Sequence, residues 1–189
     1  MSHPPTTPLD IAREQLLCAA TGWVPKQEIC AVSDALGRVL AAEQRSPLNL
    51  PQTDNVAVDG YAVDAAFLAL NPVHLFPVVG TARAGNPFSG VSVPGEAVRV
   101  FTGAVMPDGS DCVMMHEDCQ ISDAGIICCK KLKPGTNVRP AGENIAAGES
   151  LAAKGACLGA ANIGQLAAAG LSQIPVFLPL KIALMSIGD

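Results

Sequence analysis

Lysine and arginine never gather in this sequence beyond Lys130-Lys131-x-Lys133, and the formal net charge is -5. A surface that tracks nucleic-acid phosphates needs clustered cations, so nucleic acid is excluded as a partner. Cysteine is present without a usable pattern. Its seven positions (18, 30, 112, 119, 128, 129 and 157) are odd in number and include no CxxC pair, which fits neither a zinc site nor a disulfide framework and points to reduced, cytosolic thiols. His3, His74 and His116 are scattered, and His116-Glu117 lacks the second histidine of a metalloprotease helix, so no zinc is expected. The opening MSHPPTTPLD has no apolar signal core, and no apolar run reaches a membrane span before a charge, glycine or proline interrupts it. These gaps give the expectation of a soluble, cytoplasmic chain with no membrane partner. Aromatics are scarce at 4%, which leaves Val, Leu, Ile and Ala to build the core.

What is there is a chain of 189 residues, 49% hydrophobic, long enough to bury a core in one or two domains. Its 18 glycines and 15 prolines imply many turns and short strands. Thr7-Pro8-Leu9-Asp10 reads as a helix start with Thr7 as N-cap and Pro8 at the first position. Leu9, Ala12, Leu16 and Ala19 or Ala20 then recur at helical spacing until Thr21-Gly22 closes the helix. Residues 23–32 look extended. Ser33 to Leu40 reads as a capped short helix with Leu36, Val39 and Leu40 inward, and Asp64 to Leu70 reads as another helix.

From Val73 to Lys133 short β-branched runs alternate with Gly, Pro and Asp turns, including a hairpin across Ser122-Asp123-Ala124-Gly125. The pattern predicts a small β domain, a partial barrel. Ala160 to Ala169 is an Ala-rich helix with Ile163 and Leu166 on one face and Gly170 as its stop. The apolar run Leu180 to Ser186 predicts a strand of a parallel sheet, with Ile187-Gly188-Asp189 as the turn at its carboxyl end. In open α/β sheets ligands bind at that end.

The organising stretch is DNVAVDGYAV, Asp54 to Val63, which follows the proline-braced SPLNLP run of residues 46–51. Asp59-Gly60 puts a carboxylate beside a residue free to take a positive φ, so a sharp turn that aims Asp59 outward is expected. Val56, Val58, Tyr61 and Val63 would anchor it. Read alone, Asp54 and Asp59 could equally be ordinary turn carboxylates.

Four segments in order, ALGRVLA (35–41), DNVAVDGYAV, FTGAVMPDGSDCVMMHED (101–118) and RPAGENIAAGESLAAKG (139–155), together resemble the molybdopterin molybdenumtransferase family, which includes the E-domain of gephyrin. The resemblance runs on through GxxxIGQLAAAG to the MSIGD end. Family members insert molybdenum from molybdate into adenylylated molybdopterin and release AMP. The resemblance implies an α+β, mostly β, elongated homodimer with interleaved domains, of which this chain would be the N-terminal portion. Residues 1–26 would carry a leading helix packed on an α/β domain, 27–45 and 147–177 a mixed helix and strand dimerisation domain, 46–146 the β domain, and 178–189 the first strand of the molybdopterin-binding α/β domain.

The resemblance also assigns roles. Asp59 would bind Mg²⁺ or position water, since that ion keeps several waters and is held by few carboxylates and by phosphates. Thr102 would place a hydroxyl, and Gly103 a backbone N–H, against an oxyanion, and Arg139 would offer a planar fork to phosphate or molybdate. Glu143 and Asn144 fall beside Arg139 in the substrate-binding segment. Read without the family, Thr102-Gly103 is a strand end and Arg139 an ion-pair partner of Glu143. Val56 and Val58 stand where the family has serine and methionine, Asp64 where arginine is common, and Asn144 where an aspartate is usual. A molybdopterin adenylyltransferase is an implied partner. The alternative is a non-catalytic, gephyrin-like scaffold or dimerisation module, for which Asp59, Thr102 and Arg139 would not be needed.

Overall fold

A computed structural model describes residues 7–128 and 130–184. In chain order the elements are α1 (Leu9–Thr21), β1 (Gln27–Ala31), β2 (Gln44–Arg45), β3 (Asn55–Val56), β4 (Gly60–Val63), α2 (Ala65–Leu70) and β5 (Val78–Ala82). They continue with β6 (Ala97–Val100), β7 (Cys112–Met115), β8 (Cys119–Ser122), β9 (Gly125–Cys128), β10 (Val138–Arg139), β11 (Ser150–Ala152), α3 (Ala160–Ala168) and β12 (Gln173–Phe177). The architecture is mostly β with few helices, and the expected partial barrel is an open four-stranded sheet with short two-stranded ribbons instead.

The chain divides into two compact units. The first comprises Met1–Gln44, Ala152–Ala167 and Leu171–Asp189. In it β1 and β12 pair antiparallel from Gln27↔Phe177 to Ala31↔Gln173. Its buried side chains include Val32, Leu40, Leu158, Leu166, Ile174 and Val176. No residue of α1 is buried, and Leu9, Leu16 and Leu17 are exposed. The helix follows Pro8, with no side-chain cap from Thr7, and ends at a Gly22 that stays right-handed rather than left-handed.

The expected helix over residues 33–40 is only a single 3₁₀ turn, Val32–Asp34. Gly37 takes φ +76°, and its N–H and that of Leu40 donate to Leu158 O and Ala156 O, which draws the chain into extended bridges. Leu40 is buried as expected, whereas Leu36 and Val39 are 64% and 38% exposed. Residues 178–184 form no strand, because no strand among the described residues pairs with them. The remainder of that expectation, residues 185–189, lies outside the described residues.

The second unit comprises Arg45–Leu151 and Ala168–Gly170. Its sheet runs β5-β6-β4-β7, with β4 antiparallel to both neighbours and β5 parallel to β6. Successive side chains alternate across a strand. Tyr61 and Val63 of β4 therefore join Ala97, Cys112, Met114, Phe76 and Ile126 on one face, and Ala62 joins Val56, Ala82, Val98, Val100 and Val113 on the other. The expected helix over Asp64 to Leu70 is α2, with Asp64 as its cap, accepting from Phe67 N–H at 2.7 Å. The β8–β9 hairpin closes at Ser122↔Gly125, as its turn residues predict. The SPLNLP run is non-helical, bending at Pro47-Leu48 and again at Pro51, and Ser46 and Leu50 exchange backbone bonds with residues 144–149.

Gly60 differs from expectation in an informative way. It is a strand residue whose φ lies outside the left-handed region, not the pivot of a turn. Glycine is needed there because a Cβ would stand 1.8 Å from Met114 O of β7. Replacement would push β4 and its edge neighbour β7 apart. Gly60→Ala should therefore destabilise the second unit by about 3 kcal/mol, the upper end of overpacking costs. Urea unfolding of the two proteins measures the difference, and an equal midpoint would show that β7 relaxes freely.

Candidate functional site

The site is built where β4 and β6 leave the core. On the face of β4 that carries Val63 and Tyr61, the next position outward is Asp59, and the matching positions of β6 are Arg99 and Phe101. Asp59 is exposed, and its main-chain carbonyl accepts from His116 N–H at 3.1 Å. Beyond β6 the chain turns through Phe101 to Ala104, with Ala104 N–H donating to Phe101 O at 2.9 Å and Gly103 at φ +83°. A positive φ at the third residue is what a type II turn requires, and glycine supplies it without strain. The turn is pinned to β3, since Val56 N–H donates to Ala104 O and Gly103 N–H to Val56 O. Val56 itself is 1% exposed in an apolar cluster, so an apolar side chain there leaves no polar group unpaired.

That turn aims Thr102 at Asp59. Both the backbone N–H and the hydroxyl of Thr102 donate to Asp59 Oδ1, each at 2.8 Å. These bonds stabilise the charged carboxylate and hold its pKa below the ordinary aspartate value, with smaller contributions from the positive charges of Arg99 and His116. Asp59 Oδ2 accepts no hydrogen bond among the described residues. The pair thus presents an ionised oxygen to solvent. Gly103 does not act as expected: its N–H is committed to Val56, so it is not a free oxyanion donor here.

Arg139, Glu143 and Asn144 form a second cluster on the same unit. Arg139 Nε donates to Glu143 Oε2 at 2.8 Å and a terminal nitrogen to Asn144 Oδ1 at 3.3 Å. The ion pair anticipated from sequence alone is therefore present. With side chains 49% and 42% exposed, it is worth about 1 kcal/mol or less and can yield to a better anion. Register places Arg139 opposite Asn55 of β3, and no hydrogen bond joins this cluster to Asp59.

The residues that sequence reasoning missed lie beside Asp59. Arg99 donates to Gly60 O at 3.0 Å and lies over the rings of Tyr61 and Phe101, at 4.8 and 4.9 Å from their centroids. Arg83 lies 5.0 Å over the same Phe101 ring, and His116 stacks near Tyr61. The available signal was Arg99 at an alternating position of an otherwise apolar strand, AVRV. For a metal, the described residues bring no three His, Cys, Asp or Glu side chains together. Asp59 fits as a single ligand with one oxygen to spare, which is the sparse protein coordination Mg²⁺ accepts.

Comparison with known proteins gives these motifs a common origin. The family model for the MoeA N-terminal region (domain I and II) matches residues 7–170. The chain belongs to this family. It is 34% identical over 182 residues to a molybdopterin molybdenumtransferase of Haemophilus influenzae, covering 96% of this chain and 44% of that protein. A Nostoc molybdopterin molybdenumtransferase is 38% identical over 166 residues, covering 86% of this chain and 38% of that one. The crystal structure of a MoeA molybdopterin biosynthesis protein from Pyrococcus horikosii superposes with a TM-score of 0.84 at 31% identity, covering 92% of this chain and 44% of that one. The chain spans less than half the length of the curated relatives it matches.

Because the folded pKa of Asp59 lies below that of an unfolded aspartate, about 3.9, the carboxylate contributes stability above the unfolded value. That contribution is lost as pH falls through the folded pKa. Thr102→Val removes the hydroxyl while keeping the backbone donor, so the Asp59 midpoint should rise toward the ordinary value. A carboxyl-carbon NMR titration reads it directly, and an unmoved midpoint would remove the Thr102 hydroxyl as a cause.

Proposed function

We propose that this chain is the N-terminal part of a molybdopterin molybdenumtransferase, whose full-length parent takes adenylylated molybdopterin and molybdate, releases AMP and leaves molybdenum on the dithiolene. The observation that carries the reading is the Asp59–Thr102 pair, an exposed carboxylate fixed in its ionised form on the family's DGYA and FTGA segments. The names of the relatives support the same reaction.

Breaking the bond to AMP develops charge on phosphate oxygens, which is stabilised by fixed cations and by a metal ion placed in advance. Mg²⁺, when bound, would supply that neutralisation and orient water. Within this chain Asp59 Oδ2 would hold one coordination position, and Thr102 would keep the carboxylate oriented and unprotonated. Arg139 would exchange its exposed partner Glu143 for a phosphate or molybdate oxyanion, which its fork fits better than a single carboxylate oxygen. Asn144, lacking charge, lets Arg139 do so without a second competing anion.

The homodimer of the family reading has support in the apolar surface of the first unit, where Trp23, Ile29 and Leu180 are 57%, 65% and 62% exposed. Trp23, Pro25, Val39, Phe177 and Leu180 line a groove of about 300 Å³ there. The active cleft is shared between subunits, so the chain by itself dimerises without turnover. The setting is cytoplasmic, consistent with a biosynthetic enzyme and with the lack of a membrane-spanning helix among the described residues.

Asp59→Asn keeps an oxygen that accepts from Thr102, so the fold should survive. In the full-length parent it should cut molybdenum insertion by a factor on the order of 100 or more while the dimer persists. Metal content of the product and mass in solution are the readouts. Retained insertion would remove Asp59 from the reaction, and loss of the dimer would make its role structural.

A further inference from the structure

Arg83 and Arg99 stand out because neither is held in a direct ion pair among the described residues, although Arg99 lies near enough to Asp59 for their charges to attract. Arg99 is half-buried, yet of its five N–H donors only one has a hydrogen-bond partner, the neutral carbonyl of Gly60. The side chain of Arg83 has no hydrogen-bond partner among the described residues. Arg83 stands in water, but Arg99 is half-buried, and a partly desolvated cation is costly unless paired, with ring faces recovering only part of the loss. The missing partner is an anion.

Geometry says what kind. Thr81↔Arg99 and Tyr61↔Arg99 place Arg99 in one row across the sheet, and Phe101, two residues on, lies on the same face. Both guanidiniums rest against the Phe101 ring, and the ring holds their planes without consuming their N–H donors. Guanidiniums bind phosphate oxygens in pairs of parallel bonds, so two of them held on one aromatic ring suit two linked phosphates better than one. Asp59 shares this face, but its Oδ1 is taken by Thr102 and it pairs with neither arginine. The exposed imidazole of His116, beside Tyr61, adds a further donor.

We propose that Arg83, Arg99 and Phe101, flanked by Tyr61 and His116, form an anion-binding face that takes a diphosphate-class ligand. For the identity of its natural ligand, the diphosphate bridge of adenylylated molybdopterin, the assignment rests on the function proposed above; the anion-binding chemistry itself does not. Arg83 and Arg99 are binding residues distinct from the Arg139 cluster.

The test is calorimetric titration of the 189-residue chain with sodium pyrophosphate, with AMP and molybdate as comparators. Pyrophosphate should bind more tightly than either. Arg83→Gln, at an exposed position that leaves the core untouched, should weaken it about tenfold, the worth of a charge-assisted hydrogen bond, and Arg99→Gln at least as much. Lys133→Gln controls for loss of one positive charge and should leave the affinity unchanged. Should Arg99→Gln fail to fold, Arg83→Gln still decides. No pyrophosphate binding by the unaltered chain, an affinity indifferent to Arg83, or a loss seen with Arg139→Gln alone would each overturn the assignment. Equal affinity for molybdate would also overturn it, since the face would then read a single tetrahedral oxyanion. Molybdenum insertion by the full-length parent is a separate readout. An active parent without the arginine-dependent binding removes this assignment only, and the binding with an inactive parent removes the proposed function only.

Discussion

The close approach of β7 to β4 at Gly60 is the constraint on which the candidate site depends. With Met114 O sitting where a Cβ would be, β4 is clamped between β6 and β7 at its first residue, and its register with both is fixed there. A slip of one residue would exchange the two faces of the strand. Val63 and Tyr61 would leave their core cluster, and Asp59 would turn away from Thr102. The burial that fixes the strand therefore also fixes the carboxylate. Tyr61 and Val63 are 6% and 0% exposed, and full burial of side chains of that kind is worth about 1.5–3 kcal/mol each, more than any contact Asp59 itself makes.

At Asp59 short-range hydrogen bonds outweigh long-range charge. The carboxylate is exposed, where water screens charges, and the two bonds from Thr102 lower its pKa more than Arg99 or His116 does. Orientation follows from the same ranking. A charge attracted only by screened cations would sample many rotamers, whereas one held at 2.8 Å by two donors of a single residue points one oxygen outward. Arg139 is the opposite case: its exposed pair with Glu143 is weak enough to be exchanged.

What was legible in the sequence was local chemistry with one physical solution. Asp64 to Leu70 reads as a helix, and the structure adds that the Asp64 carboxylate caps it, while Ser122 to Gly125 reads as a hairpin because the strands on either side must turn in four residues. Gly170, at φ +80°, stops α3 in the same manner. What was not legible was decided by partners far along the chain. Ser33 to Leu40 has helical spacing, but bridges to Cys157 and Val176 outcompete a helix. The apolar run from Leu180 has strand composition, yet a strand exists only against a neighbour. Gly60 is read from sequence for conformational freedom and Gly103 for its backbone N–H. Gly103 uses that freedom, while Gly60 is needed for space, and a sequence does not distinguish the two. The grouping of Arg83 and Arg99 on the Phe101 ring escaped for a like reason, since Arg83 is brought to that ring only through the parallel pairing of β5 with β6.

One short segment joins the two clusters that the sequence singled out. Asn55 pairs with Arg139 on one side and bridges to Val105 on the other, while Val56 exchanges bonds with Gly103 and Ala104 in the turn that aims Thr102. Asp54 completes the strap, its Oδ1 accepting from Ala141 N–H and its carbonyl from Met106 N–H. The carboxylate suited to a cation and the guanidinium suited to an anion thus hang from the same half-dozen residues without touching each other. The proposed reaction, which would hold a metal ion and an oxyanion at a fixed separation, is served by that arrangement, because direct contact between Asp59 and Arg139 would neutralise both. Asp54 is then a turn carboxylate with a structural task, and Asp59, five residues on, is the one left with an oxygen to offer.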